Sequence, residues 1–531
     1  VSASNANAAV VAPGKVRVYV PSDAAALSVG ADRVARAITA EATQRGLSVE
    51  LVRNGSRGML WLEPLVEVVT PKGRVAYGPV SPADVAGLFD AGFLSGGNHP
   101  LAHGLTESIP YLRDQERLTF ARVGLIDPLS LAEYTEHGGL AGLRRAIDLG
   151  SAGVVQEVLA SGLRGRGGAG FPTGIKWQTV RGATADQKYI VCNADEGDSG
   201  TFADRMLMEG DPYTLLEGMT IAGIAVGATY GFIYLRSEYP HAYRTLQKAI
   251  ANARAAGMLG PSVLGSGQAF DVEVRLGAGA YICGEETSLL ESLEGRRALV
   301  RAKPPLPALK GLFGKPTIVN NVLSLATVPW ILAHGAQAYT DFGVGRSRGT
   351  LPIQLAGNVK RGGLIEKAFG VSLRQIIETY GGGTASSRPF RAVQVGGPLG
   401  AYFPEALLDT PLDYEAMAAQ QGLLGHGGIV VFDDRVDLAR QARFAFEFCA
   451  KESCGKCTPC RIGATRGVEV MDAIIGGAAS AAQFAVLDDL CSLMTDASLC
   501  AMGGLTPVPV LSAIKHFRAD FQPAPSRTPA K

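Results

Sequence analysis

The chain has 531 residues, 47% of them apolar, with 50 basic and 49 acidic side chains. That is enough for roughly three or four domains of about 150 residues each, and the cancelled charge gives no electrostatic case for nucleic acid or an anionic membrane as partner. No apolar run approaches the ~18–20 residues of a membrane helix, and eight cysteines in so long a chain argue against a secreted disulfide framework.

The opening "VSASNANAAVVAPGK" has no basic segment followed by an apolar one, so residues 1–14 are expected to be a flexible tail of a cytoplasmic protein. Residues 15–105 alternate "KVRVYV", a long amphipathic helix at "SVGADRVARAITAEATQRG", the strands "SVELVR", "PLVEVVT" and "GRVAYG", and a short helix at "SPADVAGLF". This pattern predicts a small α/β module of the thioredoxin-like kind. Residues 106–144 read as a connection. From 145 to 340 helices alternate with the short apolar strands "QKYIVCNA", "YGFIYL" and "FDVEVRLGAG", the main α/β domain. Residues 341–435 make a small β-rich domain with one helix at "SLRQIIETYGGG". Residues 436–520 read as four helices, near 436–451, 464–475, 481–495 and 507–518, with "ESCGKCTPCRIG" on the loop between the first two; 521–531 is a tail.

That loop carries Cys454, Cys457 and Cys460, each three apart. Structural zinc usually takes two C-x₂-C knuckles on separate turns, whereas a C-x₂-C-x₂-C run with a distant fourth thiol is closer to the spacing of an iron–sulfur cubane. Cys449 and Cys491 lie on apolar helical faces and read as packed thiols, as do Cys192 and Cys283. Cys500 stands beyond a helix and beside Gly503 and Gly504, where backbone can approach a bulky group. The provisional set is therefore Cys454, Cys457, Cys460 and Cys500 around a 4Fe–4S cluster.

A cluster moves single electrons, so exchange with a hydride carrier calls for a flavin between them. Four stretches could hold one. "SGLRGRGGAGFPTGIKW" offers backbone N–H groups to a phosphate, with Arg164, Arg166 and Lys176 for charge. It follows a helix rather than a strand, so it fails the dinucleotide-fingerprint context, and a plain glycine loop stands beside the cofactor-loop reading. "CNADEGDSGTFADR" puts Asp195, Glu196 and Asp198 at a strand's carboxyl end, where α/β sheets bind ligands; a solvated acidic turn is the alternative. In "GAGAYICGEETSLLESLEG" the acids Glu285 and Glu286 begin a helix, which its dipole favours in any case. "KPTIVNNV" ends a strand on paired amides.

"GAGAYICGEETSLLES" and "ESCGKCTPCRIG" resemble the two signatures of the flavin- and NADH-binding subunit shared by respiratory complex I, NAD-reducing hydrogenases and NAD-dependent molybdenum formate dehydrogenases. The resemblance runs from about residue 145 to 520. It implies a multidomain α/β chain with a Rossmann-like FMN domain, a β-grasp-like third domain and a helical 4Fe–4S domain, and it implies FMN, the cluster and NAD(H) as cofactors. Position by position it assigns FMN to Gly165, Gly167, Lys176, Asn193, Asp195, Glu196, Tyr281, Gly284, Glu285, Asn320 and Asn321. It assigns the nicotinamide nucleotide to Phe171, Asp198, Glu286 and Lys303, with Glu286 orienting the nicotinamide and no protein acid or base in the hydride step.

Complex I members carry Glu where Asp198 stands and aromatic residues where Thr179 and Leu306 stand; "NADEGD" is closer to the hydrogenase and formate dehydrogenase branches. The N-terminal module resembles the thioredoxin-like 2Fe–2S ferredoxin of this family, yet the first cysteine of the chain is Cys192. The module is thus expected to dock or brace, with the 2Fe–2S cluster on a separate small subunit and a molybdenum- and iron–sulfur-containing catalytic alpha subunit completing the assembly. This combination resembles the diaphorase (beta) subunit of a soluble NAD-dependent formate dehydrogenase, ahead of a hydrogenase diaphorase, a complex I subunit, or a non-redox zinc scaffold.

Overall fold

The computed structural model describes residues 15–477 and 479–522. The tail expected at 1–14, and residues 523–531 of the other, lie outside the described residues. Strands β1 (Val16–Tyr19), β2 (Val49–Val52), β3 (Val66–Thr70), β4 (Gly73–Tyr77) and β5 (Ala102–Leu105) form a sheet in the order β2-β1-β3-β4-β5. Only β1 and β2 run parallel, because the helix α1 (Ala31–Gln44) carries the chain back between them. Val34, Ala35, Ile38 and Ala42 recur at helical spacing and are all buried, so they put one face of α1 on the core formed with Val18, Val66 and Val68. β5 has no sequence signal: its residues "AHGL" are mostly exposed and show no apolar alternation.

The next domain begins with α2 (Ala141–Ala160) and α3 (Thr173–Gly182). It continues through β6 (Tyr189–Ala194), α4 (Ala203–Gly210), α5 (Pro212–Val226), β7 (Tyr230–Leu235), α6 (Pro240–Ala255) and β8 (Asp271–Leu276). It closes with α7 (Glu286–Leu293), β9 (Thr317–Asn321) and α8 (Val322–His334). Its four strands are all parallel, in the order β8-β7-β6-β9. Such a sheet is covered on both faces, which is why its strands are apolar runs: Ile190, Val191, Ile233 and Val319 are all buried. The pairing of β6 with β9 sets Asn193 opposite Asn321 at the carboxyl ends.

In the third domain β10 (Thr350–Gly357), β11 (Gly363–Ala368), β12 (Phe390–Val395), β13 (Ala401–Phe403) and β14 (Gly428–Asp433) take the order β11-β10-β14-β12-β13. β10 and β14 are parallel; the other pairs are antiparallel. The helix expected at "SLRQIIETYGGG" is a π-helical segment, Gln375–Tyr380.

The C-terminal region is helical: α9 (Leu438–Glu452), α10 (Thr458–Ile475), α11 (Ala481–Ala497), a short helix Ala501–Leu505, and α12 (Pro507–His516). α10 starts at Thr458, not near 464, so Cys460 sits in its first turn and Cys457 at its N-cap rather than on a loop. Pro459 stands at the helix start, where a missing N–H costs nothing. No helix among the described residues is long and apolar enough to cross a membrane.

Candidate functional site

The glycine loop between α2 and α3 closes on itself. Gly165 N–H donates to Phe171 O at 2.8 Å, Thr173 N–H to Leu163 O at 2.9 Å, and Arg164 Nε to Gly170 O at 2.7 Å. The loop is pressed onto the sheet: a Cβ on Gly167 would lie 2.9 Å from that of Asn321. The carboxyl ends of β6 and β9, the loop and the segment before α7 therefore meet at one crevice. Asn193 Nδ2 donates to Gly284 O at 2.8 Å, and a Cβ on Gly284 would be 3.6 Å from Asp195 O. Trp177 Nε1 donates to Asn320 at 2.9 Å; Asn321 caps α8 and donates to Asp204 at 2.8 Å.

Asp195 is the group that a ligand would complete. Its Oδ2 is buried without a hydrogen-bond partner, and burial pushes its carboxyl up to about 7 despite Arg236 nearby. A buried acceptor left open costs about 1–3 kcal/mol, so a site that presents one to a crevice fits a hydroxyl-bearing cofactor such as FMN. Glu196, in contrast, faces inward, accepting from Asp204 N–H and Arg205 N–H at 3.1 Å each and from Tyr239 OH at 3.0 Å.

At the mouth, Glu286 lies between Lys176 (3.2 Å) and Lys303 (2.7 Å), and Lys303 also reaches Glu285 at 3.2 Å. Burial opposes the Glu286 charge, but the two lysines outweigh it and hold its carboxyl below the usual range. Glu285 is the N-cap of α7, accepting from Thr287 and Ser288 N–H. Tyr281 OH donates to Asp198 at 2.7 Å; burial pushes the Asp198 carboxyl up against this bond. Phe171 and Leu306 are half exposed at the rim, and Thr179 is exposed on α3 with its hydroxyl on Ile175 O. A separate open depression of about 710 Å³, lined by Arg374, Arg391, Glu405 and Arg518, contains none of these residues.

The cysteines converge behind this crevice. Leu499 N–H donates to Cys457 Sγ at 3.4 Å, and Cys460 bonds Ser453 Oγ at 3.2 Å. Cys449, fully buried, lies 3.6 Å from Cys460 and lowers that thiol to about 6, while its own is pushed up. Burial, with Glu285 and the sulfurs of Cys460 and Cys454 close by, pushes Cys500 up to about 11. Thiols crowded this way cannot all ionise alone, and thiolates with an N–H donor fit a cationic iron–sulfur core. The cage is tied to the crevice: Glu452 accepts from Tyr281 N–H at 3.1 Å, and Lys456 Nζ donates to Val300 O at 2.6 Å.

Three residues differ from what the sequence suggests, or are not suggested by it at all. Arg166, expected to offer charge to a phosphate, is buried and turned away. Its guanidinium donates to Thr350 O, Arg164 O, Arg348 O and Tyr339 OH and stacks on Phe369, fastening the glycine loop to the third domain. Arg164 pairs with Glu415 at 2.7 Å and lies over Tyr414, leaving Lys176 as the basic group at the crevice. His426, a lone histidine of the third domain, is buried against Glu196 and Asp204.

Comparison with known proteins accounts for this pairing of crevice and cage. Residues 158–330 match the model of the Nuo51 FMN-binding domain, and residues 440–524 that of the NADH-ubiquinone oxidoreductase-F iron–sulfur binding region. The NADP-reducing hydrogenase subunit HndC of Solidesulfovibrio fructosivorans is 46% identical over 410 residues, 77% of this chain and 84% of that one. The NADH-quinone oxidoreductase F subunit of Escherichia coli (strain K12) is 42% identical over 398 residues, 74% of this chain and 89% of that one. A crystal structure of an NAD+-reducing NiFe hydrogenase in the air-oxidized state superposes with a TM-score of 0.66 at 29% identity, covering 97% of this chain and 85% of that chain.

The class is thus a flavin- and iron–sulfur-bearing oxidoreductase subunit. The chain belongs to the family of FMN- and NADH-binding, 4Fe–4S-carrying diaphorase subunits, of the type present in complex I and in NAD-reducing hydrogenases.

Proposed function

We propose that this chain is the diaphorase subunit of an NAD+-dependent formate dehydrogenase, receiving electrons from a molybdenum- and iron–sulfur-containing alpha subunit and delivering them to NAD+. The observation that carries the reading is the N-terminal module. Its strand order, with one parallel pair around α1, supports a thioredoxin-like fold, and it lies in a chain whose first cysteine is Cys192. It has no thiol for a 2Fe–2S cluster, so that cluster belongs on a separate small subunit. The parallel sheet of the second domain supports a Rossmann-like assignment, and the central last strand of the third supports a β-grasp-like one.

In this reading Cys454, Cys457, Cys460 and Cys500 hold the 4Fe–4S cluster. FMN, when bound, supplies hydride exchange with NAD(H) and single-electron exchange with that cluster. The chain's part is to bind and orient. Gly165 and Gly167 let backbone reach the flavin phosphate and Lys176 supplies charge; Asn193, Asp195, Gly284, Asn320 and Asn321 line the crevice at the strand ends. Tyr281 and Glu285 close it on the cluster side, and Glu196 braces its floor. Phe171 presents an aromatic face to the nicotinamide nucleotide, with Glu286 orienting the nicotinamide and Asp198 and Lys303 at the rim.

A second reading, a hydrogenase diaphorase, has its own support. The hydrogenase structure covers 97% of this chain, so its match extends into the N-terminal module as well. The native assembly decides between them: NAD+ reduction is assayed with formate and with hydrogen, and molybdenum and nickel are measured. Formate-driven NADH formation with molybdenum is expected; hydrogen-driven formation with nickel would replace this reading with the second.

A further inference from the structure

His426, Glu196 and Asp204 come from two domains and meet in the interior. Glu196 follows β6, Asp204 lies in α4, and His426 precedes β14. His426 Nδ1 is 2.7 Å from Arg166 O. A carbonyl only accepts, so Nδ1 carries a proton and Nε2 is the ring atom turned to the two carboxylates. That nitrogen lies 3.4 Å from Glu196 Oε1 and 3.2 Å from Asp204 Oδ1. Neither separation is aligned as a hydrogen bond: His426 Nε2 and Asp204 Oδ1 are both buried without a hydrogen-bond partner.

These separations have a simple geometric meaning. Four ligands about 2.0–2.1 Å from a tetrahedral ion stand about 3.3–3.4 Å apart. The remaining atoms are already committed as supports for ligands. Nδ1–H rests on a backbone carbonyl, Asp204 Oδ2 takes the Asn321 amide, and Glu196 Oε2 takes Arg205 N–H and Tyr239 OH. That is the outer shell by which metal-binding side chains are held. Two buried carboxylates around one imidazole call for positive charge at their centre, which a divalent cation bound through the unprotonated Nε2 would supply.

We propose that Glu196, Asp204 and His426 bind a divalent cation of the zinc class, with water as fourth ligand, clamping the third domain to the floor of the flavin crevice. The mixed nitrogen and carboxylate donors suit zinc better than the softer iron–sulfur chemistry of the cysteine cage. The site performs no redox step, and its existence does not depend on whether the partner oxidises formate or hydrogen.

The test uses the native assembly prepared without chelator. Zinc, iron and FMN are quantified together, and zinc K-edge X-ray absorption reports the neighbours of the metal. The expected result is about one zinc per FMN with nitrogen and oxygen neighbours at about 2.0–2.2 Å. In His426→Gln the zinc falls roughly tenfold or more while iron and FMN stay at the wild-type ratio. Asp204→Asn, which keeps the side-chain shape, gives the same loss if His426→Gln does not accumulate. Absence of stoichiometric zinc from the wild-type assembly, or its retention in both variants, would overturn the proposal and leave the triad an ion pair.

Discussion

A Cβ on Gly503 would stand 2.7 Å from the Cβ of Cys460 and would meet Ser498 Oγ as well. The bare backbone of this glycine is what lets the segment after Cys500 close over α10. Gly503→Ala should therefore displace Cys460 at an overpacking cost of about 1–3 kcal/mol. Iron content and the cluster EPR signal fall while FMN per chain is unchanged. Wild-type iron in this variant would contradict the role given to the glycine.

Cys500→Ser tests the fourth ligand directly. The expected outcome is loss of the 4Fe–4S signal with flavin absorbance retained, since Cys500 is outside the crevice lined by Asn193, Asp195 and Asn321. Undiminished iron would move the assignment elsewhere.

Glu286 is held ionised by Lys176 and Lys303 at the crevice mouth. In Glu286→Gln the two ammonium groups lose their shared carboxylate and, on the proposed reading, the nicotinamide loses the group that would orient it. The KM for NADH should rise about tenfold, equivalent to about 1.4 kcal/mol, in a steady-state assay with an artificial acceptor. An unchanged KM with unchanged kcat would remove Glu286 from the nucleotide site.

Asp195 supplies a pH dependence. Its carboxyl is raised from an ordinary 3.8 to about 7 by burial. In the flavin-free chain the protonated form is the favoured one, so this group's contribution to stability is present below about pH 4 and is lost as the pH rises through about 7. Hydroxyl donors from a bound flavin favour the ionised form, so FMN binding releases a proton and tightens with rising pH up to about 7. Asp195→Asn should flatten both trends, read by thermal melts of the flavin-free chain and by FMN titration at several pH values. A variant with the wild-type slopes would assign them to another group.

Arg166 has no carboxylate partner among the described residues; its guanidinium is satisfied by backbone carbonyls and Tyr339 OH. Arg166→Met keeps much of the volume but leaves those carbonyls buried and open. A destabilisation of about 3–4 kcal/mol is expected, with weakened FMN retention because the glycine loop loses its anchor. Chemical denaturation and FMN release measure the two effects; a change below about 1 kcal/mol would sink the anchoring role.

The cysteine run, the strand before "NADEGD" and the start of α7 were legible because their signals are local: spacing, apolar runs and an acidic helix start. The start of α10 was not, because Pro459 and Gly463 mask a helix that gains its stability from packing on α9 and α11. β11, whose "GLIEKA" carries no apolar alternation, and the three-residue β13 show no strand signal of their own and are strands through their pairing partners. Arg166 sits in a loop whose composition suggests phosphate binding, and only the third domain, which supplies Arg348, Thr350 and Phe369, shows that it points inward. His426 gives no local sign at all; its partners Glu196 and Asp204 are brought to it by the fold.

The sheet order of the third domain has a consequence for how the chain is made. β14 is its last strand in sequence yet lies in the middle, joining the β10–β11 hairpin to the β12–β13 hairpin. Until residue 433 has left the ribosome, the domain is two hairpins with bare inner edges. Arg166 and Glu196 wait meanwhile for partners on that same domain. The flavin crevice therefore cannot be finished when its own domain has been synthesised: cofactor loading is a late event in maturation, and a chain cut after α8 is no smaller diaphorase but an open half of one.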